Sequence, residues 1–79
     1  MNLGEKLRLM RNREKLTQPQ MAELVGLSLD TLKNYELARR VDISGLALAK
    51  VASHPTFTKY TLWLMADQTA PEAGQISPV

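Results

Sequence analysis

The apolar residues of the chain recur at helical spacing in five successive segments, and no segment alternates in the way that a β-strand does. In the first segment Leu3, Leu7 and Met10 lie three or four residues apart, so they share one face of a helix. Asn2 precedes them and can cap the helix N-terminus. The pattern predicts an all-α fold, with a first helix from about Leu3 to Lys15.

The second segment carries a helix start signal at Thr17. Its hydroxyl can accept a hydrogen bond from an amide of the first turn, and Gln20 can reach back in the opposite direction. Pro19 suits the first turn, where the N–H that it lacks would have no partner. The second helix should therefore begin after Thr17. It should turn three apolar side chains inward: Met21, Leu24 and Val25.

A glycine separates the second helix from the third. Gly26 tolerates the left-handed conformation of a helix C-cap, and Ser28 is a preferred N-cap for the next helix. The third helix is predicted from about Leu29 to Leu37, with Leu32 facing the body of the protein. Two helices joined by so short a turn cross each other, and the small Ala22 allows a close approach.

Two further helices are predicted in the C-terminal half. Asp42 or Ser44 can cap the fourth helix, and Pro55 ends the helical pattern because proline disfavours a helical residue before it. The fifth helix is predicted from about Thr58 to Ala66. The fourth helix should bury four apolar side chains: Ile43, Leu46, Ala47 and Val51.

The last residues differ in composition from the rest. Residues 67–79 include two prolines and one glycine and have little to bury, which predicts a flexible C-terminal tail. Residues 1–66 are then expected to form one compact five-helix domain.

The second and third helices carry a motif of fixed spacing. After Leu16-Thr17-Gln18, five residues follow at intervals of four, four, two, four and four: Ala22, Gly26, Ser28, Leu32 and Glu36. This set resembles the helix-turn-helix of the lambda-repressor and Cro-like family, often called the Xre family. The resemblance extends over about Leu3 to Met65. It implies a lambda-repressor-like DNA-binding domain with a helix-turn-helix from about Thr17 to Leu37.

The resemblance implies that the protein is a sequence-specific regulator of transcription, and a repressor is the expected kind. The protein would bind a double-stranded DNA operator by placing the third helix in the major groove, which admits an α-helix. The outward face of that helix holds the candidates for reading bases. Asn34 can pair with adenine, Lys33 can donate to guanine, and Leu29 can pack on a thymine methyl group. Asp30 either accepts from the cytosine amino group or is only a charge that favours the helix dipole.

A second group of residues is expected at the phosphate backbone. The resemblance places Gln18 against a phosphate, and an exposed helix-start residue is the alternative. Ser28 either caps the third helix or also touches a phosphate, and Thr31 is either a phosphate contact or a surface residue. Arg39 and Arg40 follow the third helix, where they meet the sugar-phosphate backbone or form a solvated basic loop.

Two features near the end of the third helix bear on its position. Arg11 and Glu36 resemble a pair that forms a salt bridge between the first and third helices of family members, although Arg11 could instead contact phosphate. Family loops commonly begin with a glycine soon after this glutamate, and Leu37-Ala38-Arg39 contains none. The third helix therefore either extends by a turn or ends at a residue other than glycine.

Aromatic residues crowd the fifth helix. In the family that the chain resembles, the C-terminal helix often supplies the dimer contact. We therefore expect a homodimer with Phe57 and Trp63 at its interface. The alternative is that both side chains belong to the core of a monomer.

Composition narrows the function classes. The net charge is +2, with basic clusters at residues 8–15 and 39–40, which is compatible with a polyanionic partner. With no cysteine and only His54 as histidine, neither a metal site, a cofactor nor an enzyme is expected. No apolar run approaches the roughly 18 residues of a membrane span, so we expect no membrane partner and a cytoplasmic protein.

Two other functions fit the same helical fold. One is an antitoxin-type module, or another protein-binding module, whose main contact is a protein. The other is an activator whose Glu23, on the second helix, meets RNA polymerase. DNA binding that weakens steeply with salt would separate a true DNA-binding protein from both.

Overall fold

The computed structural model describes residues 1–37 and 42–79. Within these residues the elements are helices and single turns, with one isolated β-bridge between Ala70 and Gln75, which confirms the all-α fold. The five α-helices are α1 (Leu3–Arg13), α2 (Gln18–Val25), α3 (Leu29–Glu36), α4 (Gly45–Ser53) and α5 (Thr61–Ala66). Two short 3-10 turns follow α4 and α5: Thr58–Tyr60 and Pro71–Ala73.

The predicted start signals are confirmed at the first four helices. The side chains of Asn2, Thr17, Ser28 and Ser44 each accept a hydrogen bond from a backbone N–H of the following turn. Thr17 and Gln20 form the complete reciprocal capping box. These caps satisfy amides that a helix N-terminus cannot pair internally. Local sequence therefore fixes where each of these helices begins.

The end of α1 lies earlier than the predicted Lys15, because Lys15 adopts a left-handed backbone with φ 58°. The N–H of Lys15 bonds to the Asn12 carbonyl, and the N–H of Leu16 bonds to the Arg11 carbonyl at 3.1 Å. The chain thus reverses without glycine, although left-handed backbone is costly for a residue with a Cβ atom. α3 ends one residue before the predicted Leu37.

One core joins all five helices. Its fully buried side chains include Leu7 and Met10 of α1, Met21 of α2 and Leu32 of α3. The remaining buried hydrophobic residues are Ala22, Val25, Tyr35, Ala47, Val51, Phe57, Tyr60, Trp63 and Leu64.

Two apolar residues predicted to face inward lie on the surface instead. Leu24 of α2 is 43% exposed and Leu46 of α4 is 68% exposed. The inward stripe of α2 passes through Met21 and Val25, four residues apart, and that of α4 passes through Ala47 and Val51. Leu24 and Leu46 each stand one position before a buried residue, which rotates them about 100° away from the core.

α1 approaches the last turn of α3 at Gly4. A Cβ atom added to Gly4 would lie 1.9 Å from the Tyr35 carbonyl oxygen, a separation that no side chain can occupy. Gly4 is therefore the contact point that lets the first helix pack directly on the backbone of the third.

A polar cluster ties α1 to the segment before α5. The Tyr60 hydroxyl donates to Glu14 Oε2 at 2.5 Å, and Lys59 Nζ lies 3.1 Å from the same oxygen. The hydrogen bond from Tyr60 lowers the pKa of Glu14 below the usual 4.5. Burial, together with the hydrogen bond to Glu14, raises the pKa of Tyr60 to about 12.

Residues 67–79, where the sequence predicts a loose tail, make several hydrogen bonds to the body of the protein. The Ile76 N–H donates to the Lys59 carbonyl at 2.8 Å, and the Gln75 side chain accepts from the Leu62 N–H at 3.0 Å. The Gln75 amide also donates to the Thr58 carbonyl at 3.1 Å, and Pro78 is buried. Gln75 thus satisfies backbone groups of the Thr58–Tyr60 turn and of α5, a role that composition does not predict.

A buried lysine holds the other end of α5. Lys6 is 4% exposed, and its Nζ donates to the Trp63 carbonyl at 2.9 Å and to the Leu64 carbonyl at 3.3 Å. Asp67 supplies the counter-charge at 2.5 Å. A cation at a helix C-terminus pairs carbonyls that lack helical partners and interacts favourably with the helix dipole. α1 therefore caps α5 from a distance of some sixty positions in sequence.

Replacing Gly4 by alanine should lower the free energy of unfolding by about 2 to 3 kcal/mol, because the new methyl group must push α1 away from the backbone of α3. Gly45→Ala is the matched control, since a Cβ atom at Gly45 meets open space. Urea unfolding measured for both variants checks this expectation. Equal stabilities of the two variants would contradict the close approach of α1 and α3.

Replacing Tyr60 by phenylalanine should flatten the pH dependence of stability at both ends. The lowered pKa of Glu14 stabilises the fold above 4.5, and this contribution is lost as pH falls below that value. The raised pKa of Tyr60 stabilises the fold below 10.0, and this contribution is lost as pH rises towards about 12. Urea unfolding across this range measures both limbs. Tyr35→Phe, at a second buried tyrosine, is the control and should keep the losses of stability at acidic and at alkaline pH. If Tyr60→Phe kept the pH dependence of the wild type, the Tyr60–Glu14 hydrogen bond would not be its cause.

Candidate nucleic-acid interface

α2 and α3 form a helix-turn-helix with the predicted turn. Gly26 has φ 74°, the left-handed conformation expected at the C-cap of α2, and its N–H bonds back to the Ala22 carbonyl. Leu27 N–H bonds to the same carbonyl at 3.0 Å. Lys50 of α4 donates to the Gly26 carbonyl at 3.2 Å, so a third helix also supports the turn. The angle between α2 and α3 is thereby fixed by backbone geometry as well as by packing.

α3 has one buried face and one outward face. Leu32, Tyr35 and Glu36 are buried against the body of the protein. Asp30 and Lys33 are exposed, and Asn34 is half-buried. Lys33 and Asn34 follow Asp30 by three and four residues, so both lie beside it and the three side chains form one continuous strip on the helix. The strip unites three of the four residues predicted to read bases. The fourth, Leu29, is half-buried at the start of α3.

The hydroxyl groups of Ser28 and Thr31 have different roles at the N-terminus of α3. Ser28 Oγ accepts from the Thr31 N–H at 3.1 Å and donates to Thr31 Oγ1 at 2.7 Å. The single hydroxyl hydrogen of Ser28 is therefore used inside the protein. Thr31 accepts that hydrogen and keeps its own hydroxyl hydrogen for another acceptor. Of the two residues, Thr31 is the better placed donor for an external oxygen atom, and Ser28 acts as the cap.

Gln18 is the first residue of α2 and is half-buried. Its Nε2 donates to Glu36 Oε1 at 3.2 Å, a contact that spans eighteen positions in sequence. The sequence motif includes both residues. Their contact was nevertheless missed, because it depends on how α2 and α3 cross and not on any spacing within one helix.

The expected pair of Arg11 and Glu36 is confirmed. Arg11 Nε lies 2.9 Å from Glu36 Oε2, and Arg11 Nη2 lies 2.8 Å from Oε1, which is a two-point contact. Arg11 Nη1 also donates to the Leu16 carbonyl at 3.0 Å. With three of its nitrogens engaged inside the protein, Arg11 serves as a support for α3. Its alternative role as a direct phosphate contact is disfavoured.

The two residues predicted at a dimer interface are core residues instead. Phe57 is 0% exposed and Trp63 is 8% exposed within a single chain. Phe57 stacks at a tilt against His54, and the Trp63 ring lies beneath the Lys6 ammonium group at 5.1 Å. Their burial contradicts the predicted interface role and agrees with the alternative of a monomer core. The exposed apolar side chain of α5 is Met65, which is 57% exposed.

Other predicted residues lie outside this strip or outside the described chain. Arg39 and Arg40 lie outside the described residues. Glu23 is exposed on α2, beside an open cleft that Leu16, Gln20 and Leu24 also line. Within residues 1–37 and 42–79, no helix is long and apolar enough to cross a membrane.

Comparison with known proteins agrees with this geometry. Residues 2–54 match a family model described as a helix-turn-helix domain, and the chain belongs to this family. The chain is also similar to a protein named Repressor protein C from Escherichia phage P2. The two are 43% identical over 76 residues, which cover 96% of this chain and 76% of the relative.

Proposed function

We propose that the protein is a DNA-binding transcriptional repressor that places α3 in the major groove of an operator. The observation that carries the proposal is the outward strip of Asp30, Lys33 and Asn34 on a helix whose other face is buried. Membership of the helix-turn-helix family and the identity to a phage protein named as a repressor support it. A repressor bound at a promoter acts by occupying DNA that the transcription machinery needs.

Each member of the strip has a base edge that suits its chemistry. Asn34 offers a donor and an acceptor, which match adenine N7 and N6 in the major groove. Lys33 offers an ammonium group to guanine O6 and N7. Asp30 accepts from the cytosine amino group, where its negative charge also avoids the phosphates. Leu29, half-buried beside them, suits the methyl group of thymine.

Phosphate contacts are proposed at the N-termini of α2 and α3. Thr31 Oγ1 accepts the hydroxyl hydrogen of Ser28 and keeps its own, which it donates to one phosphate. Gln18 at the start of α2 donates to another. Both contacts are neutral, so they position the protein on DNA without the counterion release that lysine and arginine contacts produce.

We also propose that the protein binds its operator as a homodimer. Because Phe57 and Trp63 are buried, the contact uses apolar side chains that remain exposed near the C-terminal end. These are Met65, 57% exposed, Ile76, 39% exposed, and Val79, 76% exposed. A twofold dimer would read two half-sites about 34 Å apart along the duplex.

Replacing Asn34 or Lys33 by alanine should relax the preference for one base pair and weaken operator binding by about 1 to 3 kcal/mol. The reason is that each side chain would lose its own set of base-edge hydrogen bonds. Selection of bound duplexes from a random pool, followed by affinity measurements at several salt concentrations, tests this expectation. If both variants selected the same sequences as the wild type, α3 would not be the reading element.

Lys59→Gln is the matched control for the loss of charge. It removes one positive charge outside the helix-turn-helix, where Lys59 pairs with Glu14. It should leave base preference unchanged. Binding that does not respond to salt, in the wild type itself, would contradict the DNA-binding function as a whole.

Replacing Met65 by lysine should shift a dimer of the protein towards monomer, because it would place a charge in an apolar contact. Sedimentation equilibrium over a range of concentrations measures the shift. Leu46→Lys is the control, since Leu46 is a similarly exposed apolar residue on a different helix. A wild-type protein that stays monomeric with and without operator DNA would rule out the dimer.

A further inference from the structure

The carboxylate of Glu36 receives more donors than an ion pair needs. It is 8% exposed, and its two oxygens accept from Arg11 Nε, Arg11 Nη2 and Gln18 Nε2. The contacts from Arg11 already neutralise the charge and link α1 to α3. The contact from Gln18 adds no charge compensation, so it has a different structural consequence.

That consequence is the orientation of the Gln18 carboxamide. A carboxylate only accepts hydrogen bonds, so the NH₂ group of Gln18 must face Glu36 and the carbonyl group must face away. One of the two Nε2 hydrogens is then engaged at 3.2 Å, and the other remains available. The ordinary freedom of a surface glutamine to exchange its NH₂ and carbonyl ends is thereby removed.

Gln18 also holds the remaining backbone donor of the first turn of α2. The capping box engages the N–H groups of Thr17 and Gln20, and the N–H of Met21 bonds to the Thr17 carbonyl. Pro19 has no N–H. Among the described residues, the Gln18 N–H has no acceptor. One residue therefore carries two donors, one from the backbone and one from an oriented side chain.

We propose that Glu36 is a positioning residue for DNA binding, which acts by holding the Gln18 carboxamide with its free N–H ready for a phosphate oxygen. The inference rests on the proposed function. The Glu36 carboxylate then has two roles, one through each of its partners. Through Arg11 it fixes the place of α3, and through Gln18 it prepares a backbone contact on α2. The orientation exists before DNA binds, so forming the phosphate contact requires less ordering of the side chain.

A double-mutant cycle tests this coupling. Operator affinity is measured for the wild type, Gln18→Ala, Glu36→Gln and the double variant. In the wild-type background Gln18→Ala should weaken binding about tenfold, the loss typical of a hydrogen bond to a charged group. In the Glu36→Gln background the same change should have little effect, because a carboxamide at position 36 donates as well as accepts and no longer forces the Gln18 carboxamide into one orientation. The cycle is needed because Glu36→Gln also removes a negative charge, which by itself favours DNA binding.

Arg11→Gln is the matched control. It breaks the same ion pair but leaves the Glu36 carboxylate in place for Gln18. The effect of Gln18→Ala should therefore persist at about tenfold in this background. A purely structural role of Glu36 predicts equal effects of Gln18→Ala in all three backgrounds, and that result would overturn the proposal. Gln18→Ala without effect in the wild type would also overturn it.

A measurement on the unmodified protein covers the case in which the Glu36 or Arg11 variants fail to fold. The two side-chain N–H signals of Gln18 are followed by NMR, with the exposed Gln68 as reference. One Gln18 proton should exchange with water more slowly than those of Gln68, because it is bound to Glu36. Exchange as fast as that of Gln68 would refute the orientation. If the wild type itself binds no duplex DNA in a salt-dependent way, the proposed function fails instead.

Discussion

A carboxylate that leaves water must find charged and hydrogen-bonding partners, because an unpaired buried charge is strongly destabilising. Glu36 meets this requirement at the end of α3 with donors from α1 and α2. Three helices are thus fixed relative to one another around a single side chain. The outward strip of α3 begins less than two turns earlier on the same rigid helix, so its direction follows from this arrangement. Packing of Leu32 and Tyr35 makes the body compact, but dispersion and hydrophobic contact are not directional. The polar contacts around Glu36 supply the direction.

Close approaches of backbone complete the frame. Gly4 lets α1 rest on the Tyr35 carbonyl, and Gly26 turns the chain between α2 and α3. The two glycines act differently, since Gly4 is needed for space and Gly26 for its positive φ. At the far end of the molecule, Lys6 brings a positive charge to the end of α5. Lys6 and Arg11 of α1 contact different partners, so the first helix connects the helix-turn-helix to the C-terminal part.

Much of this arrangement follows from local sequence. The caps at Asn2, Thr17, Ser28 and Ser44, together with the glycine turn, were predictable because their physics involves residues within one helix turn of each other. The outward position of Lys33 and Asn34 followed from helical periodicity. Contacts between distant segments were not predictable in the same way. Neither the clash that excludes a side chain at Gly4 nor the bond from Gln18 to Glu36 has a signature within a single helix. The aromatic residues Phe57 and Trp63 were misplaced for a related reason. Their pattern shows that they are apolar, but only the packed chain shows how little of them reaches the surface.

The ordered segment after α5 changes where the folding unit ends. Asp67 neutralises the buried ammonium group of Lys6, and Gln75 pairs backbone groups of Thr58 and Leu62. A protease that trimmed the chain after Ala66 would remove both. Lys6 would keep its carbonyl partners but lose its counter-ion, which would destabilise the packing of α1. Since α1 also carries Arg11, damage at the C-terminal end would be transmitted to the support of α3. The integrity of the last thirteen residues, 67–79, is therefore linked to the geometry of the reading helix, although none of them lies in the helix-turn-helix.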